Sequence, residues 1–174
     1  AAALEPLADP VTAKGQLHGS NGGAYLLKDT GQEGMLEARY RLSRFSLEIA
    51  EKPFKVGTGE YPAGTWILRP QAGLEAALRD TATALGLDFD AVASLPEVAR
   101  HTAKTPRLGV WVPWADTDSI GWLRYTLDQR HIPYTYVRDE DIRSGRLREG
   151  IDVLLYGHVD LELAEQIQGI PKAW

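Results

Sequence analysis

Cysteine is absent from this chain of 174 residues. Its absence excludes disulfides, thiolate-bound metals and thiol nucleophiles, and with them the enzymes built on an activated cysteine. Long apolar runs are missing too: no stretch approaches the ~20 residues of a membrane span. The start, Ala1-Ala2-Ala3, lacks the charged and then apolar segments of a signal peptide. Methionine occurs once, at Met35, so a chain opening on alanine reads as a trimmed or mature fragment whose ends do not give its compartment. Positive charge is in short supply, with 19 Lys and Arg against 24 Asp and Glu and a net charge of −5. Those bases are scattered, which argues against a nucleic acid or an anionic membrane surface as partner. The one basic stretch, from Arg138 to Arg148, carries Asp139, Glu140 and Asp141 and reads as a solvated helix face.

Catalytic frames are lacking as well. Gly-x-Ser-x-Gly surrounds none of the serines. Three residues after His18, His101, His131 and His158 stand Asn21, Lys104, Tyr134 and Leu161, so none of them opens a His-x-x-Glu zinc pair. Asp116 and Asp118 have the spacing that starts a calcium loop, without the Gly and distal Glu that complete it. Gly19-Ser20-Asn21-Gly22-Gly23 precedes a strand instead of joining a strand to a helix, the wrong context for cradling phosphate.

What is present is ordinary globular composition, 44% hydrophobic and 25% charged, enough for one substantial core or two small ones. Residues 1–22 read as an irregular lead-in with one short strand. Ala24 to Leu27 reads as a strand, followed by a long helix from Gly31 to Ala50 with Leu36, Tyr40, Leu42, Phe45, Leu47 and Ile49 on its apolar face. Strands follow at Phe54 to Val56 and Thr65 to Leu68. A helix from Leu74 to Leu85 ends on Gly86. Residues 87–104 read as a connector with helical pieces at Asp90 to Val92 and Pro96 to His101.

The second half repeats the alternation. Leu108 to Val112 is a strand closed by Pro113, Ser119 to Arg130 a helix, Tyr134 to Val137 a strand, Asp139 to Ser144 a helical turn, Ile151 to Tyr156 a strand, and Leu161 to Ile167 helical. Three segments result: the lead-in at 1–22, an α/β subdomain at 23–105 and an incomplete half at 106–174. Strands alternating with helices predict an α/β fold with a mostly parallel sheet and helices on both faces. The C-terminal half offers few helices to cover such a sheet, so the polypeptide is expected to continue beyond Trp174.

In an open α/β sheet, ligands bind outside the carboxyl ends of the strands. Two strand ends converge there in this reading. One carries Trp114, Asp116 and Asp118 and the other His158 and Asp160, and these five residues form the candidate ligand-binding set. His158 reads either as an acid–base or ligand-binding group oriented by a carboxylate or as a loop histidine beside a helix-capping Asp160. Asp116 and Asp118 read equally as helix caps. Trp111, Trp114 and Trp122 are either a platform for a sugar or peptide side chain or part of the core.

Several stretches together carry a family resemblance. Tyr61-Pro62-Ala63-Gly64-Thr65-Trp66, the run from Pro106 to Trp114, Gly121-Trp122, Ile132-Pro133-Tyr134, Asp141-Ile142-Arg143 and Ile151-Asp152-Val153-Leu154 resemble the region downstream of the catalytic domain in large bacterial zinc carboxypeptidase-like proteins. In those proteins a class I glutamine-amidotransferase-like, flavodoxin-like domain follows the peptidase. The resemblance implies a non-catalytic accessory or recognition domain whose partner is the peptidase domain of the same polypeptide, with zinc held there and no cofactor here. It also implies export to the periplasm or the extracellular space. The zinc ligands and the amidotransferase cysteine are both missing, so neither chemistry carries over. Two other functions stay open on the residues alone: a hydrolase or transferase using His158 with a carboxylate, and a structural spacer. A small ligand or peptide and a homodimer are the remaining partners this reading admits.

Overall fold

A computed structural model describes residues 14–113 and 118–158, together with positions 162, 164 and 168. The chain divides into two compact units that meet at Lys104 and Thr105.

The first unit runs β1 (Leu17–His18), β2 (Ala24–Leu27), α1 (Met35–Arg41), β3 (Leu47–Ala50), β4 (Phe54–Val56), β5 (Gly59–Tyr61), β6 (Trp66–Leu68), α2 (Leu74–Leu85), β7 (Phe89–Val92) and β8 (Arg100–Ala103). Six of its strands form one sheet in the order β1-β7-β2-β6-β3-β8. Only β1 and β7 pair in parallel, and every other neighbour in that sheet is antiparallel. β4 and β5 form a separate antiparallel hairpin joined by Gly57-Thr58, with Gly57 at a φ of 58° that suits a tight hairpin turn.

Side-chain alternation explains how this sheet is covered on both faces. Tyr25, Leu27, Leu47, Trp66, Leu68 and Phe89 point toward the helices and form the larger core with Met35, Ala38, Leu74, Leu78 and Ala82. Leu26, Ala50 and Ile67 point the other way, where Tyr61, Phe54 and Val56 of the hairpin and Val92, Leu95 and Val98 close over them.

The expected helix from Gly31 to Ala50 stops at Arg41, and β3 takes its last four residues. From Phe45 onward the apolar spacing is two residues, at Phe45, Leu47 and Ile49, and the intervening Glu48 bonds Arg100 at 3.1 Å on the neighbouring strand. A period of two selects a strand. Leu36, expected on the buried face of α1, is 53% exposed, while Met35, Ala38 and the ion-paired Glu37 are buried. The stretch read as a connector supplies β7 and β8, because Phe89 to Val92 pairs with the whole of β2 and Arg100 to Ala103 with the whole of β3.

The second unit runs β9 (Leu108–Trp111), α3 (Asp118–Gln129), β10 (Tyr134–Val137), α4 (Asp139–Arg143), α5 (Leu147–Gly150) and β11 (Val153–Leu155). Its three strands are parallel in the order β10-β9-β11. Arg124 of α3 donates from Nε to the Tyr134 hydroxyl at 3.2 Å and lies over the Tyr136 ring, which places α3 on the face shared by Tyr134 and Tyr136. Leu147 and Ile151 pack on Trp111 and Val137 on the opposite face.

The expected mostly parallel, flavodoxin-like or class I glutamine-amidotransferase-like sheet is therefore not the fold. Among the described residues parallel pairing is confined to β1–β7 and the three-stranded sheet, and the largest sheet is antiparallel apart from that one pair. Alternation of strands with helices does not fix which strands become neighbours: β7, β2, β6, β3 and β8 lie side by side although none of these neighbours is consecutive in the chain, and each of these pairs runs antiparallel. Among the described residues no helix is long and apolar enough to cross a membrane.

Candidate functional site

The three parallel strands of the second unit end together. Val137 stands opposite Trp111, and Leu155 opposite Val110, so the residues just past each strand share one edge. The Val112 N–H donates to the Val137 carbonyl at 2.9 Å and carries the ladder one step further.

At that edge Trp111 is held on two sides. Its indole Nε1–H donates to Asp139 Oδ1 at 2.9 Å, where Asp139 opens α4. The Tyr156 ring lies flat on the indole, with centroids 4.8 Å apart and planes 17° from parallel. Trp111 is buried, whereas Tyr156 is 55% exposed. Parity places both on one face, since residue 156 follows Leu155 in register with Val110.

Beyond Tyr156 the chain turns in against α3. A Cβ on Gly157 would collide with Ile120 Cδ1, so the backbone lies close against the first turn of the helix and a larger residue here would have to displace that methyl group. His158 follows, exposed and without a hydrogen bond or ion pair among the described residues. Asp118, also exposed, is the first residue of α3. Both therefore lie at the carboxyl edge of the sheet. Trp114, Asp116 and Asp160 of the expected set lie outside the described residues.

The opposite end of the sheet is a tether. Arg107 donates from its backbone N–H and Nε to Asp152 Oδ2 at 2.8 and 3.1 Å, from Nη2 to Oδ1 at 2.9 Å, and from Nη1 to the Glu149 carbonyl at 2.8 Å. That fork raises the guanidinium pKa and locks the entry of β11 to the entry of β9. Gly109 sits between them: a Cβ there would come within 2.6 Å of Ile151 Cδ1 and 2.9 Å of Val137 Cγ2.

The edge therefore gathers Trp111, Tyr156, Asp139, Asp118 and His158. Of the expected aromatic platform, Trp111 is buried at this edge, while Asp139 and Tyr156 read singly as a helix residue and a strand end and carry no signal of a site in the sequence. Register parity is the signal that joins Trp111 to Tyr156.

The first unit holds a different polar cluster. Glu75 of α2 accepts from the Tyr25 hydroxyl at 2.9 Å, the Asn21 N–H at 3.0 Å and Arg79 Nη2 at 2.8 Å, while Arg79 also donates to the Gly19 carbonyl at 3.1 Å. Hydrogen bonds from Arg79, Asn21 and Tyr25 hold the Glu75 carboxyl down at about 2. Its geometry ties the glycine-rich loop to a helix, a structural task. Among the described residues no group of three or more His, Asp or Glu side chains is placed to hold a metal ion. No protein-family model, curated protein or solved structure matches the chain.

Proposed function

We propose that the second unit is a recognition module without turnover of its own, binding a cationic side chain of a peptide at the carboxyl edge of β10-β9-β11. The observation that carries this reading is the Tyr156 ring, laid on Trp111 with more than half its surface open, at an edge that also bears Asp118 and Asp139. An exposed aromatic face attracts a guanidinium or ammonium group, and carboxylates at the same edge of the sheet add to that attraction. The indole is already fixed by Asp139, so little ordering remains to oppose binding.

Titration with acetyl-Gly-Arg-Gly-amide, followed at the Trp111 indole resonance, tests it. A saturable shift that disappears in Tyr156→Ala and weakens in Asp118→Asn supports the reading. No shift up to about 10 mM peptide, the weakest affinity of interest, removes its basis, as does an unaltered shift in Tyr156→Ala. Hydrolysis of the peptide by the 174-residue chain would make it an enzyme instead.

We extend the proposal to the polypeptide it serves. The motifs from Tyr61 to Trp66 and Pro106 to Leu154 support an exported, zinc carboxypeptidase-like parent in which zinc belongs to a separate catalytic domain. Deleting this segment from the full gene product should leave zinc content and hydrolysis intact while changing substrate preference. Loss of zinc on deletion would place the segment inside the catalytic domain.

A further inference from the structure

Among the described residues β11 has the composition of a central strand and the position of an edge strand. In a parallel sheet, a strand apolar on both faces is one flanked by neighbours and covered above and below. Val153 and Leu154 point to opposite faces, yet they are 40% and 39% exposed. The edge carries none of the devices that blunt a free strand: Val153 to Tyr156 contains no proline, lysine or inward charge. The other edge strand is different. Around β10, the guanidinium groups of Arg124 and Arg138 lie 4.9 and 5.7 Å from the Tyr136 ring centroid, so a second β10 would bring cations against cations.

We propose that β11 pairs antiparallel with β11 of a second copy of this chain about a twofold axis through Leu154, joining the two three-stranded sheets into one of six. The strand is self-complementary in that register. Leu154 meets Leu154, Val153 meets Leu155 and Asp152 meets Tyr156, so no like charges stand opposite one another. Asp152, the one charge on the segment, is already neutralised by the Arg107 fork and faces a tyrosine hydroxyl able to donate to it. Arg107 fixes the start of the strand and the Tyr156–Trp111 stack its end, so both copies present a preformed edge. A contact of so few residues a side is small, and the dimer is a weak one.

Sedimentation velocity on the 174-residue chain from about 1 to about 500 µM, a range that brackets weak association, tests the pairing. The mass rises with concentration from 19.2 kDa toward twice that value. Leu154→Lys and Leu154→Glu, each with the circular dichroism of the parent, stay monomeric alone, and an equimolar mixture regains the dimer because position 154 faces itself. As a measurement independent of any variant, amide exchange at residues 153–155 slows with rising concentration of the unaltered chain. A chain that stays at 19.2 kDa throughout overturns the proposal and gives the edge to a strand of another protein or of the same polypeptide. Dimers that persist in Leu154→Lys, or a mixture that does not recover, overturn it in favour of a different surface.

Discussion

The two units solve the same problem, covering a sheet, to different degrees. In the first, Leu26 and Ile67 are fully buried on one face and Leu27 and Leu68 on the other, because helices close one side and the β4–β5 hairpin with the segment after β7 the other. In the second, β9 is buried at all four positions while its neighbour β11 leaves Val153 and Leu154 open. A mixed sheet with short turns supplies its own cover from adjacent chain. A parallel sheet draws its cover from crossovers, and three strands provide only two of them. Stability should therefore concentrate in the first unit, and the open chemistry in the second.

The largest effect expected from breaking this contrast is in the first unit. Leu26→Ala empties a fully buried site beneath the hairpin and should cost about 2–5 kcal/mol, read as a fall in the urea midpoint. A cost below about 1 kcal/mol, within the range of a surface substitution, would mean that the hairpin face is not a packed core. Next comes Gly109→Ala in the second unit. Its new methyl meets Ile151 and Val137, and overpacking of this kind costs about 1–3 kcal/mol. Near-UV circular dichroism from the Trp111–Tyr156 stack should weaken with it, because Ile151 supports the same face. Asp139→Ala is smaller again. The Trp111 ring and its cover remain while the indole loses its acceptor, a loss of about 0.5–1.5 kcal/mol in thermal melts. Full retention of stability would show that Asp139 does not anchor the indole.

How far this contrast was legible in the residues varies by region. The helix at Leu74 to Leu85, with Gly86 at a φ of 67° as its stop, follows from periodicity and one left-handed glycine. The strand, helix and strand from Leu108 to Val137 follow from local pattern in the same way. The direction of pairing did not follow, because alternation of elements counts strands without saying which lie side by side. β7 and β8 were invisible for a related reason: Phe89 to Val92 and Arg100 to Ala103 have no strong pattern of their own and become strands by pairing with β2 and β3. In the site, Asp118 and His158 were legible as residues following strand ends, whereas Trp111 with Tyr156 required a register that only the sheet supplies.

The smallest effect is electrostatic, and it sharpens the contrast by separating how the first unit is fastened from how it is filled. Glu75 sits at the surface of α2, and its carboxyl is lowered from its ordinary 4.5 to about 2 by hydrogen bonds from Arg79, Asn21 and Tyr25. In the unfolded chain that carboxyl takes up a proton near 4.5, while in the folded chain it stays ionised to lower pH. The unfolded state therefore binds more protons inside this window, and stability contributed by Glu75 is complete above it and lost as pH falls from 4.5 toward 2. The loop it fastens should loosen over the same range: the protection factor of the Asn21 amide, bonded at 3.0 Å to Glu75 and corrected for the pH dependence of intrinsic exchange, falls as the acid limit is approached. Glu75→Gln should flatten that response and lower the melting temperature at neutral pH more than at pH 2. If Asn21 exchange instead follows global unfolding at every pH, the loop is held by the sheet through Ala24 and not by this carboxylate.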